Sequence, residues 1–252
     1  MTKLEQAKCC TDCWHSPQKP CPDFVECLTK SPVCHESKEC TDKVNANIAK
    51  YKYDVVEKPV VFIGMGTCGL GAGAAKTRKS VENFLKTKNI DADIVQVGCI
   101  GLCAFEPIVD VQLPGKTRLS FQQVTEDKVE NIFNSVFEGE LPTENIMAQH
   151  RNAKLTAYEG VRFLDEHPFF KNQTRWVLAN CGVIMPTNID QYIAHGGFAA
   201  LAKALKQHTQ FEICDMIEKS GLRGRGGGGF PTGKKWKMAL NTAKKDKYMI
   251  CN

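Results

Sequence analysis

The chain has 252 residues, 42% hydrophobic and 24% charged, which is too apolar for a chain disordered throughout and enough for one large domain or two ordinary ones. No apolar run approaches the roughly 18 residues a spanning helix needs, and residues 1–13 lack the apolar stretch of a secretory signal, so membrane insertion is excluded and a cytoplasmic location expected. The net charge of +5 is local: nine Lys and Arg against one acid between Lys219 and Asn252 give +8 there and −3 elsewhere, which favours one local anionic ligand over a nucleic-acid-coated surface.

Seven of the 13 cysteines lie in the first 40 residues, at Cys9, Cys10, Cys13, Cys21, Cys27, Cys34 and Cys40. Cytosolic reductants oppose structural disulfides, so clustered cysteines in such a chain point first to metal. Residues 1–50 have few large aliphatics and four prolines, and cross-linking by metal is the expected way to order them. Cys10-x2-Cys13 with Cys21, Cys27, Cys34 and Cys40, plus His15 and His35, offers more than one tetrahedral set, and spacing alone does not separate zinc from iron–sulfur over residues 9–40.

Val60-Val61-Phe62-Ile63 predicts a buried strand ending at Gly64-Met65-Gly66-Thr67-Cys68-Gly69. A helix is expected from about Ala72 to Lys88, with Val81, Phe84 and Leu85 on one face, followed by strands at Ile94–Val97 and Ile108–Leu113. Val129, Ile132, Phe133, Val136 and Phe137 mark a closing helix, with Thr125 as N-cap and Gly139 just past its end. The pattern β-α-β-β-(β)-α over 58–138 predicts a small α/β domain of thioredoxin-like size. Periodicity weakens over 139–175, between Pro142 and Pro168, and predicts a linker. Helices resume at about 188–195, 198–206 and 212–219, and Tyr248–Asn252 has the pattern of a strand. Ending on a strand where a new domain begins suggests a fragment.

Gly64-x-Gly66-x-x-Gly69 fits a dinucleotide fingerprint, but the acids near the second strand, Asp91 and Asp93, stand at its wrong end to hold a ribose. A sulfur reading competes. Cys68 follows the first strand and Cys99-x3-Cys103 the second, and adjacent strands bring such loops together, so three thiolates converge where iron–sulfur clusters normally take four. Gly228-x4-Gly233-Lys234 nearly spells a phosphate-binding loop, but Lys235 stands where Ser or Thr would hold Mg²⁺, and the segment follows a helix. What remains is a run of glycines carrying Arg223, Arg225, Lys234 and Lys235, with Phe230 and Trp236 to flank a flat ring, which suits an anionic, ring-bearing ligand.

The run from Ser220 to Trp236, with Cys251-Asn252 after it, resembles the signature of the FMN-carrying, NADH-oxidising flavoprotein subunit of respiratory complex I, NAD-reducing and electron-bifurcating hydrogenases and related formate dehydrogenases. Asn180-Cys181-Gly182, Ile189-Asp190-x-Tyr192-Ile193 and Gly196-Gly197-Phe198 resemble the helical lead-in to that flavin domain. Cys68 with Cys99-x3-Cys103 is similar to the thioredoxin-like [2Fe–2S] domain fused ahead of it in hydrogenase-type members. The resemblance covers about residues 58–252. It implies a thioredoxin-like ferredoxin domain at 58–138 and the start of an α/β FMN/NADH domain at 176–252; the cysteine spacing adds a Cys-rich metal-binding segment at 1–50, and the weak periodicity a linker at 139–175. It also implies that Gly224, Arg225, Gly226, Gly227, Lys235 and Asn252 line FMN, that Phe230 stacks on NAD(P)H, and that Cys68, Cys99 and Cys103 ligate [2Fe–2S]. The expected partners are the other proteins of a multi-subunit NADH dehydrogenase or hydrogenase, with no nucleic acid and no direct membrane insertion.

Three departures from the family pattern stand out. A fourth cysteine is expected five residues before Cys68, where this chain has Ile63; Met238 replaces a Phe; and the family continues past Asn252 with acidic residues that complete the flavin site and then a [4Fe–4S] domain. No side chain is an obvious general acid or base, and hydride transfer to FMN requires none. The 252 residues alone are expected to oxidise little or no NADH. The alternative is a non-catalytic iron–sulfur or zinc electron-transfer or assembly module with a vestigial flavin motif.

Overall fold

A computed structural model describes residues 38–244, 246 and 248. They fall into two compact units, Ser37–Gly196 and the residues from Gly197 onward.

The first unit is built on a five-stranded sheet of order β2-β1-β3-β4-β5. Strand β1 (Val60–Gly64) is buried along its whole length, so its apolar run does not alternate. It lies parallel to β2 (Asp93–Val97) and antiparallel to β3 (Val109–Gln112). Strand β4 (Leu119–Phe121) pairs antiparallel with β3, and β5 (Ile146–Gln149) with β4. A helix α1 (Lys38–Tyr51) precedes the sheet. The parallel β1–β2 step is made through α2 (Thr67–Gly71) and α3 (Ala74–Thr87), and α4 (Val129–Phe137) follows β4. This is a mixed α/β arrangement of the kind the sequence predicts, with one strand added.

One sheet face sends Val61, Ile63, Val109, Val111, Leu119 and Phe121 against Val81, Phe84 and Leu85 of α3 and Ile132, Phe133 and Val136 of α4. The other presents Val60 and Phe62, joined by Val95 and Val97, and carries a buried ion pair described below. The helix expected over about 72–88 is α3, which starts at Ala74 because Gly73 before it adopts φ +102°, a left-handed turn open to glycine at little strain, and the short α2 lies ahead of that turn. Helix α4 starts at Val129 with no side-chain cap, and Thr125 stands a turn earlier, accepting through its carbonyl from the Lys128 amide at 3.0 Å.

Residues 139–175, expected as a linker, belong to the sheet unit. They supply β5, with Ser120 opposite Ala148, and Phe170, which packs with Leu102, Ile108 and Met147. Two large apolar residues in a four-residue strand carry too little periodicity to announce it. Gln149 looks like a surface residue in the sequence but is buried, taking a hydrogen bond from Thr117 Oγ1 at 2.7 Å and donating to the Tyr158 and Val161 carbonyls. Residues 176–196, expected with the following domain, also pack in this unit. The Gln191 side chain, on helix α5 (Ile189–Ala194), donates to Tyr53 Oη at 2.8 Å and accepts from the Met185 amide at 2.7 Å.

In the second unit, α6 (Ala199–Gln207) and α7 (Gln210–Lys219) fall where the sequence places helices, and α7 opens on a Thr209/Glu212 capping box. A further helix, α8 (Thr232–Leu240), follows the glycine-rich loop. It packs on α7 so closely that a Cβ on Gly233 would lie 2.4 Å from the Glu218 backbone, and Lys237 bridges Asp215 and Glu218. The expected terminal strand, apart from Tyr248, lies outside the described residues.

Candidate metal centre and glycine-rich loop

Parallel neighbours end at the same edge of a sheet, and β1 and β2 therefore deliver Cys68 and Cys99 to one place. Cys103, on a 3₁₀ turn (Cys103–Phe105), completes the group. The three sulfurs lie within 4.8 Å of one another, with Cys99 and Cys103 Sγ 3.7 Å apart. Cys68 and Cys103 are exposed and Cys99 is half-buried. Gly101, at φ +92°, turns the loop and donates its amide to Cys99 Sγ at 3.3 Å.

The three glycines of the Gly-x-Gly-x-x-Gly run serve close packing at this centre. A Cβ on Gly66 would lie 3.1 Å from Cys99 Cβ, one on Gly69 would lie 2.1 Å from the Gly64 carbonyl oxygen, and one on Gly64 would lie 3.0 Å from Glu106 Oε2. The motif thus seats thiols and a carboxylate, which accounts for the glycines that a dinucleotide reading would otherwise explain. Burial pushes the Cys99 thiol up, and hydrogen bonding to Cys68 does the same for Cys103. Zinc and iron both favour the thiolate, so a bound metal would reverse these shifts.

Ile63, at the position of the fourth expected cysteine, is fully buried and faces the α3/α4 core. Glu106 is what the sequence did not announce. Its side chain is buried beside the thiols, its Oε2 accepts from the Ile108 amide at 2.8 Å, and burial raises its carboxyl despite hydrogen bonds from that amide and from Cys99. The available signal was a lone acid followed by proline three residues after Cys103, in an otherwise apolar run.

Beneath this centre, Arg118 Nε donates to Asp110 Oδ2 at 2.7 Å and Nη2 donates to the same oxygen and to the Gly182 carbonyl at 2.7 Å. The guanidinium sits 3.6 Å over the Phe62 ring. Burial alone would raise the Asp110 carboxyl, but Arg118 and then His150 outweigh it and hold the group at about 2. Burial and the neighbouring Arg118 lower the His150 imidazole.

In the second unit the loop between α7 and α8 is closed at its base. The Gly224 amide donates to the Phe230 carbonyl at 2.9 Å, Thr232 to Leu222 at 2.9 Å, and Arg223 Nε to the Gly229 carbonyl at 2.6 Å. Gly226 and Gly227 have open space where a Cβ would stand. Arg225, Lys234 and Lys235 are exposed and have no ion-pair partner among the described residues, and the Phe230 ring is half exposed. The loop is therefore an accessible backbone ringed by free cations, which fits a phosphate-bearing ligand. Gly224 and Arg223 hold its shape, leaving Arg225, Gly226, Gly227 and Lys235 facing outward. Asn252 and the expected ligands Cys10, Cys13, Cys21 and Cys27 lie outside the described residues.

No family model matches the chain. The HndC protein of the NADP-reducing hydrogenase of Solidesulfovibrio fructosivorans is 52% identical over 82 residues, 32% of this chain and 16% of that protein. The NADH-quinone oxidoreductase F subunit of Aquifex aeolicus is 54% identical over 65 residues, 26% of this chain and 15% of that protein. An NADH-quinone oxidoreductase F subunit of Rhizobium meliloti is 50% identical over 64 residues, 25% of this chain and 15% of that protein. The chain thus spans about a sixth of the length of the curated relatives it matches. Among solved structures, a thioredoxin-like [2Fe–2S] ferredoxin from Aquifex aeolicus aligns over its full length and 40% of this chain, at 18% identity and a TM-score of 0.32. Over a quarter to a third of its length, the chain is a homologue of NADH-quinone oxidoreductase F subunits and of an NADP-reducing hydrogenase subunit.

Proposed function

We propose that this chain is part of an NAD(P)H-oxidising flavoprotein subunit of a multi-subunit, cytoplasmic complex. FMN held at the glycine-rich loop would supply acceptance of hydride from the nicotinamide, and iron–sulfur centres, one of them held by Cys68, Cys99 and Cys103, would supply single-electron transfer. The observation that carries this reading is the glycine-rich loop, whose free Arg225 and Lys235 surround open backbone at Gly226 and Gly227, in a chain about half identical over its matched stretch to such subunits.

FMN, when bound, supplies the conversion between a two-electron hydride and single electrons. The chain's own residues bind and orient it. Arg225 and Lys235 neutralise its phosphate, Gly226 and Gly227 admit the ring system against main chain, and Phe230 offers an aromatic face for the nicotinamide or adenine of NAD(P)H. Asn252 is assigned to the same site by resemblance. The thiol centre fits an iron–sulfur cluster in the chemistry of its donors, three of the four ligands such a cluster takes. The N-terminal cysteines would hold a separate zinc or iron–sulfur site.

The test uses the longer polypeptide encoded with this segment, purified without added flavin. Bound flavin that NADH bleaches, and NADH–ferricyanide turnover that the 252-residue chain lacks, are the expected results. A brown, flavin-free protein with no NADH reaction would refute the flavoprotein reading and favour an electron-transfer module.

A further inference from the structure

We propose that Glu106 supplies the fourth ligand, through a carboxylate oxygen, to the iron–sulfur cluster held by Cys68, Cys99 and Cys103. This rests on the cluster reading above and concerns how a three-cysteine site can satisfy a four-ligand demand.

Ile63, where the fourth thiolate is expected, points into the apolar core and has no donor atom to offer. Glu106 takes up the space on the thiol side of the same strand end. Its Oε2 stands 3.0 Å from the point where a Gly64 Cβ would lie and 3.3 Å from that of Gly69, so both glycines are needed to seat it. The carboxylate is within hydrogen-bond reach of the Cys99 thiol, a ligand in this reading. Its burial is a second, independent sign: the residue is 7% exposed and pairs with no Lys, Arg or His among the described residues. One backbone amide is its stabilising partner apart from the thiol, and Asp110, another carboxylate, disfavours its charge further. Burying an acid without a cation is costly unless a metal ion or a proton neutralises it. A metal at the adjoining thiols removes that cost and gains an oxygen donor, a type that iron accepts alongside sulfur.

Cys181 is the competing donor, since its neighbour Gly182 packs against Ile100 in the cysteine loop. Like Glu106, it lies outside the group of ligand atoms within 4.8 Å of one another, so that distance does not choose between them and the variants below do.

The full 252-residue chain is reconstituted anaerobically with ferrous iron and sulfide. It is compared with Glu106→Gln, Glu106→Cys, Cys181→Ser and the triple Cys68/Cys99/Cys103→Ser variant. Iron, acid-labile sulfide, visible circular dichroism and the EPR of the reduced protein are the readouts. The triple variant isolates this centre from the N-terminal cysteines. Glu106→Gln is expected to lose the centre's share of iron, with affinity down roughly tenfold or more. Glu106→Cys is expected to keep the cluster but shift its EPR and dichroism, and Cys181→Ser to match the wild type. A Glu106→Gln protein with unchanged iron and spectra overturns the proposal. So does a Glu106→Cys protein with the wild-type spectrum, which remains decisive should the glutamine variant not fold, and so does loss of the cluster in Cys181→Ser. If the wild type and the triple variant take up equal iron, the cluster reading itself fails.

Discussion

Replacing Arg118 with methionine tests the physical account of the sheet unit most sharply. Arg118 ties β4 to Asp110 on β3 and to the Gly182 carbonyl, and its guanidinium covers Phe62. Methionine keeps much of the volume and leaves the buried Asp110 carboxylate without its cation. Breaking a buried pair from one side costs about 3–5 kcal/mol. In the exchange of the β3 and β4 amides, that is opening roughly 10²- to 10⁴-fold more frequent. The pH dependence sharpens the test. In the wild type the Asp110 carboxyl is held below its usual 3.8, at about 2, a depression worth about 2.4 kcal/mol. That contribution is fully present above pH 3.8 and is lost as pH falls through about 2. Without Arg118 the remaining dominant influence is burial, which raises the carboxyl, so the variant is relieved as pH falls. The gap between the two proteins should therefore narrow by at least about 1 kcal/mol between pH 7 and pH 3. Urea unfolding, followed by exchange protection of the peptides spanning Val109–Gln112 and Leu119–Phe121, gives the gap at both pH values. Replacing Asp110 with leucine in the Arg118→Met background should recover most of the loss, since an apolar pair carries no desolvation penalty. A variant within about 1 kcal/mol of wild type at pH 7, or a gap that does not change with pH, would refute the reasoning.

Other outcomes follow from the packing. Gly69→Ala places a methyl 2.1 Å from the Gly64 carbonyl oxygen and should cost about 1–3 kcal/mol or more, read in the same exchange assay, with reduced iron uptake at the thiols. Gly233→Ala meets the Glu218 backbone at 2.4 Å and should separate α7 from α8, lowering the thermal stability of the second unit in scanning circular dichroism. Ile63→Cys should cost about 1–2 kcal/mol through lost core volume and add no iron, because that side chain faces α3 and α4; iron gained by this variant would contradict the strand's facing. Under the proposed function, Arg225→Ala combined with Lys235→Ala should reduce the FMN that the protein retains, measured by the flavin released on denaturation.

Much of the thiol centre was legible in the sequence. Two apolar runs long enough for strands, each ending in glycine and cysteine, imply parallel neighbours whose ends meet, and Cys68, Cys99 and Cys103 do converge. The cationic loop was legible too, since Arg223 and Arg225 alternate with glycines and Lys235 follows within the same short segment, although the division of labour that makes Arg223 a brace against Gly229 was not. Strand β5 was hidden because it gains its order from pairing with β4, and Gln149 because its side chain is satisfied by partners at Thr117, Tyr158 and Val161.

The sequence by itself determined which segments bury an apolar face, where the chain turns, and that sulfur and positive charge gather at separate places. Those properties follow from side-chain chemistry and from periods of two and 3.6 residues, which are local. The tertiary structure alone decided that Ile63 faces the core, that Gly64 and Gly69 make room for Glu106, and that Asp110 meets Arg118. Each of these depends on which strands become neighbours and on how closely backbones approach, and burial sets the energy of a charge only after those distances are fixed.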